Sequence, residues 1–210
     1  MAKDQARLVR IVAVGVSTAW GMVLHLSGVT VGSSMQRLLA YVPSVLVLLT
    51  VAFDLWVWKW PGIHMLVGRP RVDGTWRTTI RPHKNSRIPK NGNRGPITSA
   101  VVIEQTFWTV TARLLTAESS SMSEVASMRA HGDSREQCLL TYTYRNEPKQ
   151  QHRPRSSPHR GACEFTVVGR LPKTLSGTYW TDRFTVGDMD LVLVDRRKDR
   201  NSLAGLPPTP

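Results

Sequence analysis

Cysteine is nearly absent from this chain: Cys138 and Cys163 stand in separate apolar stretches, with no second pair at metal-ligand spacing. That excludes a disulfide framework and the usual zinc sites, and leaves two reduced, buried thiols as the expectation. Reduced thiols suit a domain facing the cytosol. Catalytic signatures are missing as well. The sequence contains no G-x-S-x-G elbow, no H-E-x-x-H, no Walker-type phosphate loop and no glycine-rich dinucleotide fingerprint. The six histidines are scattered, and His152 and His159 lie in a positively charged segment that repels a metal ion. No catalytic residue, metal ligand or enzymatic activity is therefore expected.

Acidic residues are scarce. Lys and Arg number 28 against 15 Asp and Glu. Four of the basic and two of the acidic residues precede Lys59, so residues 59–210 hold 24 and 13, a surplus of +11. Such a surplus favours contact with phosphates, whether in a nucleotide, a nucleic acid or a lipid headgroup.

Charge of either sign is absent from Ile11 to Gln36, a run of 26 residues, where a helix crossing the hydrocarbon core needs about 20. A second apolar run, Leu38 to Trp58, has Asp54 as its one charge and ends among Trp56, Trp58 and Trp60 beside Lys59. Aromatic residues and a lysine in that position belong at a headgroup boundary. Only a short turn around Ser33 to Arg37 separates the runs, so residues 1–60 are expected to form a transmembrane helical hairpin with spans at about 11–31 and 38–58. Lys3, Arg7 and Arg10 precede the first span, and Lys59, Arg69, Arg71 and Arg77 follow the second, while the turn holds Arg37. The positive-inside rule then puts both termini in the cytoplasm. A cleaved signal peptide has the same basic start, but its apolar core is shorter. Pro43 lies near the start of the second span, where a missing donor is tolerated. In such a hairpin His25 lies about 14 Å from the turn and Asp54 about 30 Å, so the two do not pair. Asp54 is expected beside Lys59 or Arg10 at the inner interface, and His25 in a hydrogen bond between helices. Gly28 and Gly32 give one weak G-x-x-x-G spacing.

Past Pro61 the pattern changes to short alternating stretches between turn residues. Eight strands are expected, at about Gly74–Arg81, Thr98–Gln105, Phe107–Thr116, Ser121–Arg129, Gln137–Arg145, Gly161–Val168, Ser176–Phe184 and Asp188–Arg196. In the fifth, Cys138, Leu140, Tyr142 and Tyr144 share a face. In the eighth, Met189, Leu191 and Leu193 oppose Asp188 and Asp190. One buried face per strand and no helical run predict an all-β domain over residues 69–196, a small eight-stranded antiparallel up-and-down β-barrel. Two loops, Pro82–Pro96 and Glu147–Gly161, each contain four Lys or Arg among prolines and small polar residues and are expected as solvated connections. Residues 197–210 are expected to be a disordered tail.

The chemistry on the strands is aromatic side chains interleaved with arginine. Aromatic faces stack on bases, and a guanidinium grips phosphate oxygens in a two-pronged geometry. Tyr179, Arg183, Tyr144 and Arg145 are the leading candidates for a nucleotide site, arginine for phosphate and tyrosine for base. Thr181, Gln105 and Trp108 follow. Aromatic residues on strands also serve as plain core. A barrel holding a lipid or another apolar ligand without signalling, and an anchored enzyme acting on nucleotides, remain the competing readings.

Five stretches point further: VDGTW at Val72–Trp76, VVIEQTFWTVTARLLTAESSSMSEVA at Val101–Ala126, LTYTYRNEP at Leu140–Pro148, HRGACEF at His159–Phe165 and LSGTYWTDRFTVGDMDL at Leu175–Leu191. In that order, behind an apolar hairpin, they make the chain resemble the membrane-anchored β-barrel effectors of bacterial CBASS anti-phage defence, the CD-NTase-associated receptors with two N-terminal transmembrane helices. The resemblance implies a cytoplasmic barrel on the bacterial inner membrane that binds a cyclic dinucleotide made by a cognate CD-NTase. It also implies self-association on ligand binding and membrane disruption that kills or arrests the cell. It implies no cofactor besides the activating cyclic dinucleotide, and no DNA or RNA polymer as partner.

Overall fold

The computed structural model describes residues 3–26, 34–90, 92–131, 134–154, 156–203 and 206. Their contacts divide into two units. One comprises residues 1–67 with Thr106–Trp108, the other residues 68–105 with 109–210.

The first unit is helical: α1 (Lys3–Leu26), α2 (Ser34–Leu55), a single tight turn at Val57–Lys59 and the short α3 (Pro61–Val67). In α1, Arg7–Leu26 is a 20-residue stretch long and apolar enough to cross a membrane, while the apolar part of α2, Tyr41–Leu55, falls short of that length. One candidate span therefore stands where two were expected. The second helix ends at Leu55, not Trp58, because the chain tightens at Val57 and turns Trp58 inward. Trp58 is fully buried against Phe107, ring centroids 6.0 Å apart, and His64, at 6.1 Å. Trp56 and Trp60 stay exposed. The expected turn begins inside α2 from Ser34 onward, and residues 27–33, with Gly28, Gly32 and Ser33, lie outside the described residues. Pro43 falls inside α2 rather than near its start. The helices meet through small residues, with the Ser44 hydroxyl donating to the Ser17 carbonyl at 2.9 Å.

Asp54 is fully buried and paired with Arg10. Its Oδ1 accepts the Trp108 N–H at 3.1 Å, and its carbonyl accepts the Phe107 N–H at 2.9 Å. A carboxylate removed from water needs such partners. Arg10 also donates to the Thr106 hydroxyl at 3.1 Å. His25 is exposed and, among the described residues, makes no hydrogen bond between helices.

The second unit is the barrel. Its strands are β1 (Gly74–Pro82), β2 (Ile97–Gln105), β3 (Val110–Leu115), β4 (Ser119–His131), β5 (Ser134–Pro148), β6 (His159–Val168), β7 (Thr174–Thr181) and β8 (Val186–Asp195). Each pairs antiparallel with the next, and β8 closes on β1. The interior gathers Trp76, Ile103, Leu140, Phe165, Val167, Leu175, Met189 and Leu191, all essentially without solvent contact. These are every second residue of their strands, as a closed sheet with one inner face requires. Two expected boundaries move. β3 starts at Val110 because Thr106–Trp108 belong to the helical unit, and β7 stops at Thr181 because Phe184 takes a left-handed turn conformation, φ 60°.

Where the chain enters and leaves the barrel, Asp73 is buried among cations. It pairs with Arg71 at 2.8 Å, Lys198 at 3.1 Å and Arg196 at 3.9 Å, and Arg196 also donates to the Asp73 and Arg71 carbonyls at 2.7 and 3.1 Å. The expected disordered tail is ordered over its first residues. Leu203 and Leu206 pack on Ala100, Val102 and Leu115, outward-facing residues that are nonetheless buried. Arg113 donates to the Asn201 side chain at 2.8 Å and the Arg200 carbonyl at 2.7 Å, and the Thr75 hydroxyl donates to the Arg197 carbonyl at 2.7 Å. Apolar outer positions on β2 and β3 supply the reason, since burying them under two leucines removes apolar surface from water.

Candidate functional site

One end of the barrel is full and the other is open. At the end where β1 begins, Trp76 and Val72 fill the lumen, and the indole N–H donates to the Val72 carbonyl at 2.8 Å. Toward the opposite end the inward positions become small or polar, among them Ser121, Asn146, Gly161, Thr181 and Gly187. A cavity of about 710 Å³ results, within the range of small-molecule sites.

Three tyrosines form its inner wall. Tyr142 and Tyr144 are successive inward residues of β5, with ring centroids 6.2 Å apart, and Tyr142 stacks on Phe165 at 6.0 Å. Tyr179 projects from β7, opposite Cys163 of β6, which in turn faces Tyr142. Their exposures are 4, 7 and 9%. Glycines make the room. A Cβ at Gly161 would lie 2.5 Å from the Tyr144 ring and hydroxyl, and one at Gly187 would lie 2.8 Å from both the Tyr179 ring and the Pro82 Cα. Gly187→Ala is accordingly expected to displace Tyr179 and to destabilise the barrel by about 1–3 kcal/mol. Thermal unfolding of the variant measures this, and an unchanged midpoint would refute the close packing.

Burial raises all three phenol pKa values. Tyr142 is held well above its ordinary value, Tyr144 is raised, and Tyr179 is pushed up to about 12, with Cys163 adding to each shift. Cys163 is itself pushed to about 12 by burial and donates to the Met189 sulfur at 3.8 Å. At neutral pH the wall thus offers aromatic faces and neutral hydroxyls, with no thiolate.

The mouth is cationic. Arg87, Arg153 and Arg183 line it against Glu118, the one acidic lining residue among those described. Arg183 sits in the β7–β8 connection, where Thr185 and Thr181 share a hydroxyl–hydroxyl bond of 2.7 Å. Its Nη1 donates to the Ser156 hydroxyl at 3.2 Å and to the Ser157 carbonyl at 3.4 Å, and its Nε is buried with no acceptor among the described residues. The two basic loops, expected as plain solvated connections, frame this mouth. The β1–β2 loop is held by Ser86, whose hydroxyl donates to the Val186 carbonyl at 2.6 Å and accepts the Val186 N–H at 3.0 Å. It brings Arg87, Ile88 and Pro89 to the cavity, and the β5–β6 loop brings Arg153, Pro154 and Ser156.

His159, at the base of the second loop, has a lowered pKa. Burial is the main cause, and Arg183 adds to it against the opposing pull of the Ser157 carbonyl and Asp182. A ring kept neutral in the fold titrates later, on acidification, than the same ring in the unfolded chain. The unfolded chain then binds more protons as pH falls through about 6.5, so stability drops from there down to the folded pKa and is level below it. Denaturant midpoints at about pH 7.5 and pH 5.5 should therefore converge in His159→Asn relative to the unsubstituted chain. An identical acid loss in the variant would exclude the contribution.

Of the candidates read from sequence, Tyr144, Tyr179, Thr181 and Arg183 line this one cavity. Arg145 does not. It points outward, 56% exposed, and pairs with Glu147 at 3.2 Å, because its neighbours Tyr144 and Asn146 take the inner face. Gln105 points inward at the filled end, where its amide accepts the Val72 N–H at 2.8 Å and donates to the Pro70 carbonyl at 2.9 Å. Trp108 belongs to the helical unit. Sequence reasoning passed over Arg87, Arg153, Asn146 and His159 as site residues, and left Tyr142 outside its candidates. The inward period of β5 was signal enough for Tyr142 and Asn146, whereas the loop arginines had only composition to mark them.

Two comparisons bear on this architecture. CD-NTase-associated protein 15 of Staphylococcus schleiferi is 28% identical over 155 residues, which cover 73% of this chain and 78% of the relative. A family model described as Cap15, cyclic dinucleotide receptor domain, matches residues 67–192. That match takes in seven complete strands, the eighth as far as Val192 and both loops at the cavity mouth, well over half of the sequence. The chain belongs to the Cap15 cyclic dinucleotide receptor domain family.

Proposed function

We propose that this protein is a membrane-anchored effector of bacterial CBASS anti-phage defence, whose barrel binds a cyclic dinucleotide from a cognate CD-NTase. Binding drives copies to self-associate and to disrupt the inner membrane, and the cell dies or stops growing. The observation that supports this reading most is Arg183, which lines a cavity of about 710 Å³ walled by tyrosine and has a buried Nε–H without an acceptor among the described residues. An anionic ligand with flat rings answers both features: phosphate oxygens take the guanidinium, and bases stack on Tyr144 and Tyr179. Arg87 and Arg153 supply further positive charge at the mouth, and Thr181 a hydroxyl. Membership of a receptor family, together with the name of the Staphylococcus schleiferi relative, supports the source of the ligand.

Residues 1–60 serve as the anchor in this reading. The 22 residues of α2 extend about 33 Å at 1.5 Å each, enough to cross the bilayer beside α1 despite Pro43. In this reading the termini and the barrel face the cytoplasm, which the basic residues at both outer ends favour by the positive-inside rule. Signalling is then a population shift, which requires the ligand to bind the associated state more tightly than the free one.

Calorimetric titration of the full chain in nanodiscs with cyclic di-AMP, cyclic di-GMP, cyclic di-UMP and cyclic GMP–AMP tests the reading. Saturable binding by one of them, followed by dye release from vesicles holding the protein, is the expected result. Silence across the panel, with a fatty acid or other lipid bound instead, would hand the cavity to an apolar ligand.

A further inference from the structure

The two loops at the mouth are fastened differently. The β1–β2 loop reaches the β7–β8 connection through main-chain bonds: His83 N–H to the Val186 carbonyl at 2.8 Å and Arg87 N–H to the Phe184 carbonyl at 3.1 Å. The β5–β6 loop, Lys149 to Pro158, is tied at its first residue, where Lys149 N–H and Nζ donate to the Glu118 and Ala117 carbonyls at 2.9 and 2.6 Å. Its middle is closed on itself, by His152 to Lys149 at 2.8 Å and Ser156 to His152 at 2.9 Å. Among the described residues, what joins its later half to the β7–β8 connection is the Arg183 side chain, through Nη1 to Ser156 and Ser157.

Arg183 therefore lines the cavity with one edge on the loop, and its Nε is buried with no acceptor among the described residues. A guanidinium is planar and rigid, so fixing one edge fixes the other. We propose that the β5–β6 loop is a lid that the ligand closes through Arg183: an anion accepting from the Nε edge immobilises the guanidinium, and the bonds from Nη1 to Ser156 and Ser157 are immobilised with it. This inference rests on the reading of the cavity as an anion site and adds how occupancy is converted into a change at the barrel surface. Lysine keeps the charge but not the second edge, so Arg183→Lys separates the lid from simple attraction.

The test is hydrogen–deuterium exchange on the full chain in nanodiscs, with and without a saturating amount of whichever of the four cyclic dinucleotides binds tightest. Exchange at residues 150–153 and 156–157 is expected to slow by about tenfold or more with ligand. In Arg183→Lys, at concentrations that saturate that variant, the slowing is expected to vanish. Ser156→Ala is expected to exchange faster without ligand and to bind a few-fold more weakly, by about the value of one neutral hydrogen bond. Binding without slowed exchange in the unsubstituted chain overturns the lid alone, as does full slowing in Arg183→Lys. Binding by none of the four removes the cavity reading and the lid together.

Discussion

Trp76→Ala is expected to destabilise the barrel by about 3–5 kcal/mol, the range for truncating a buried tryptophan. The residue is without solvent contact, it fills the closed end of the lumen, and its indole N–H satisfies the Val72 carbonyl. Alanine leaves both a void and an orphaned acceptor, and the neighbouring strands are locked by closure and cannot collapse into the space. Since domains are stable by only about 5–15 kcal/mol, the variant should unfold at a much lower denaturant concentration or fail to accumulate. Trp76→Phe restores most of the volume but not the N–H, so it should lose less, about 1–3 kcal/mol. Denaturant unfolding of the full chain in detergent, followed by near-ultraviolet circular dichroism, reads both. A loss under about 1 kcal/mol for the alanine variant would mean that the closed end is not packed as described.

The second large effect is on binding. Removing Arg183 takes away a charge-assisted contact of about 1.5–3 kcal/mol, roughly 10- to 150-fold in affinity for a cyclic dinucleotide. Arg145→Ala provides the contrast. Its side chain is on the outer face, mostly exposed and paired with Glu147, so affinity should be unchanged. Because both arginines lie near strand ends and have the same charge, nonspecific attraction would affect them alike. Equal losses, or a larger loss for Arg145→Ala, would count against the cavity as the site.

Strand alternation was the most legible feature of the sequence. In β5, Leu140, Tyr142 and Tyr144 all turn inward while Thr143 and Arg145 turn outward, because a pleated strand leaves no other choice once one face is buried. The same rule separates Arg145 from the cavity: adjacency to Tyr144 in sequence means the opposite face in a strand. Gln105 lies away from the cavity for another reason. It faces inward, but β2 runs opposite to β1, so its C-terminal end returns to the filled end of the lumen. Phe107 and Trp108 read as strand because aromatic residues favour strands. Their backbone donors are taken by Asp54, more than fifty residues earlier, a contact that no local pattern encodes.

The C-terminal segment is the clearest case of a pattern that outran its reading. Ala100-Val101-Val102-Ile103 is a continuous apolar run, and a strand buried on both faces has that form. Val101 and Ile103 meet the lumen, while Ala100 and Val102 lie beneath Leu203 and Leu206. The composition of 197–210 suggested a solvated tail, yet two leucines in it suffice to cover that outer patch.

Each of the eight strands has a hydrogen-bonded neighbour on either side, but β4 outruns β3: its Ser120–Met122 pair with Leu115–Arg113, and beyond Ser123 it pairs with β5 alone. Most ladder donors and acceptors are thereby spent within one molecule, and among the described strands the far part of β4 is the edge onto which a neighbour's strand could be added. Copies of this protein that gather through any other part of the barrel wall must recognise one another through outward side chains. Such a union depends on individual residues and is open to single substitutions, and its reversal breaks no backbone pairing.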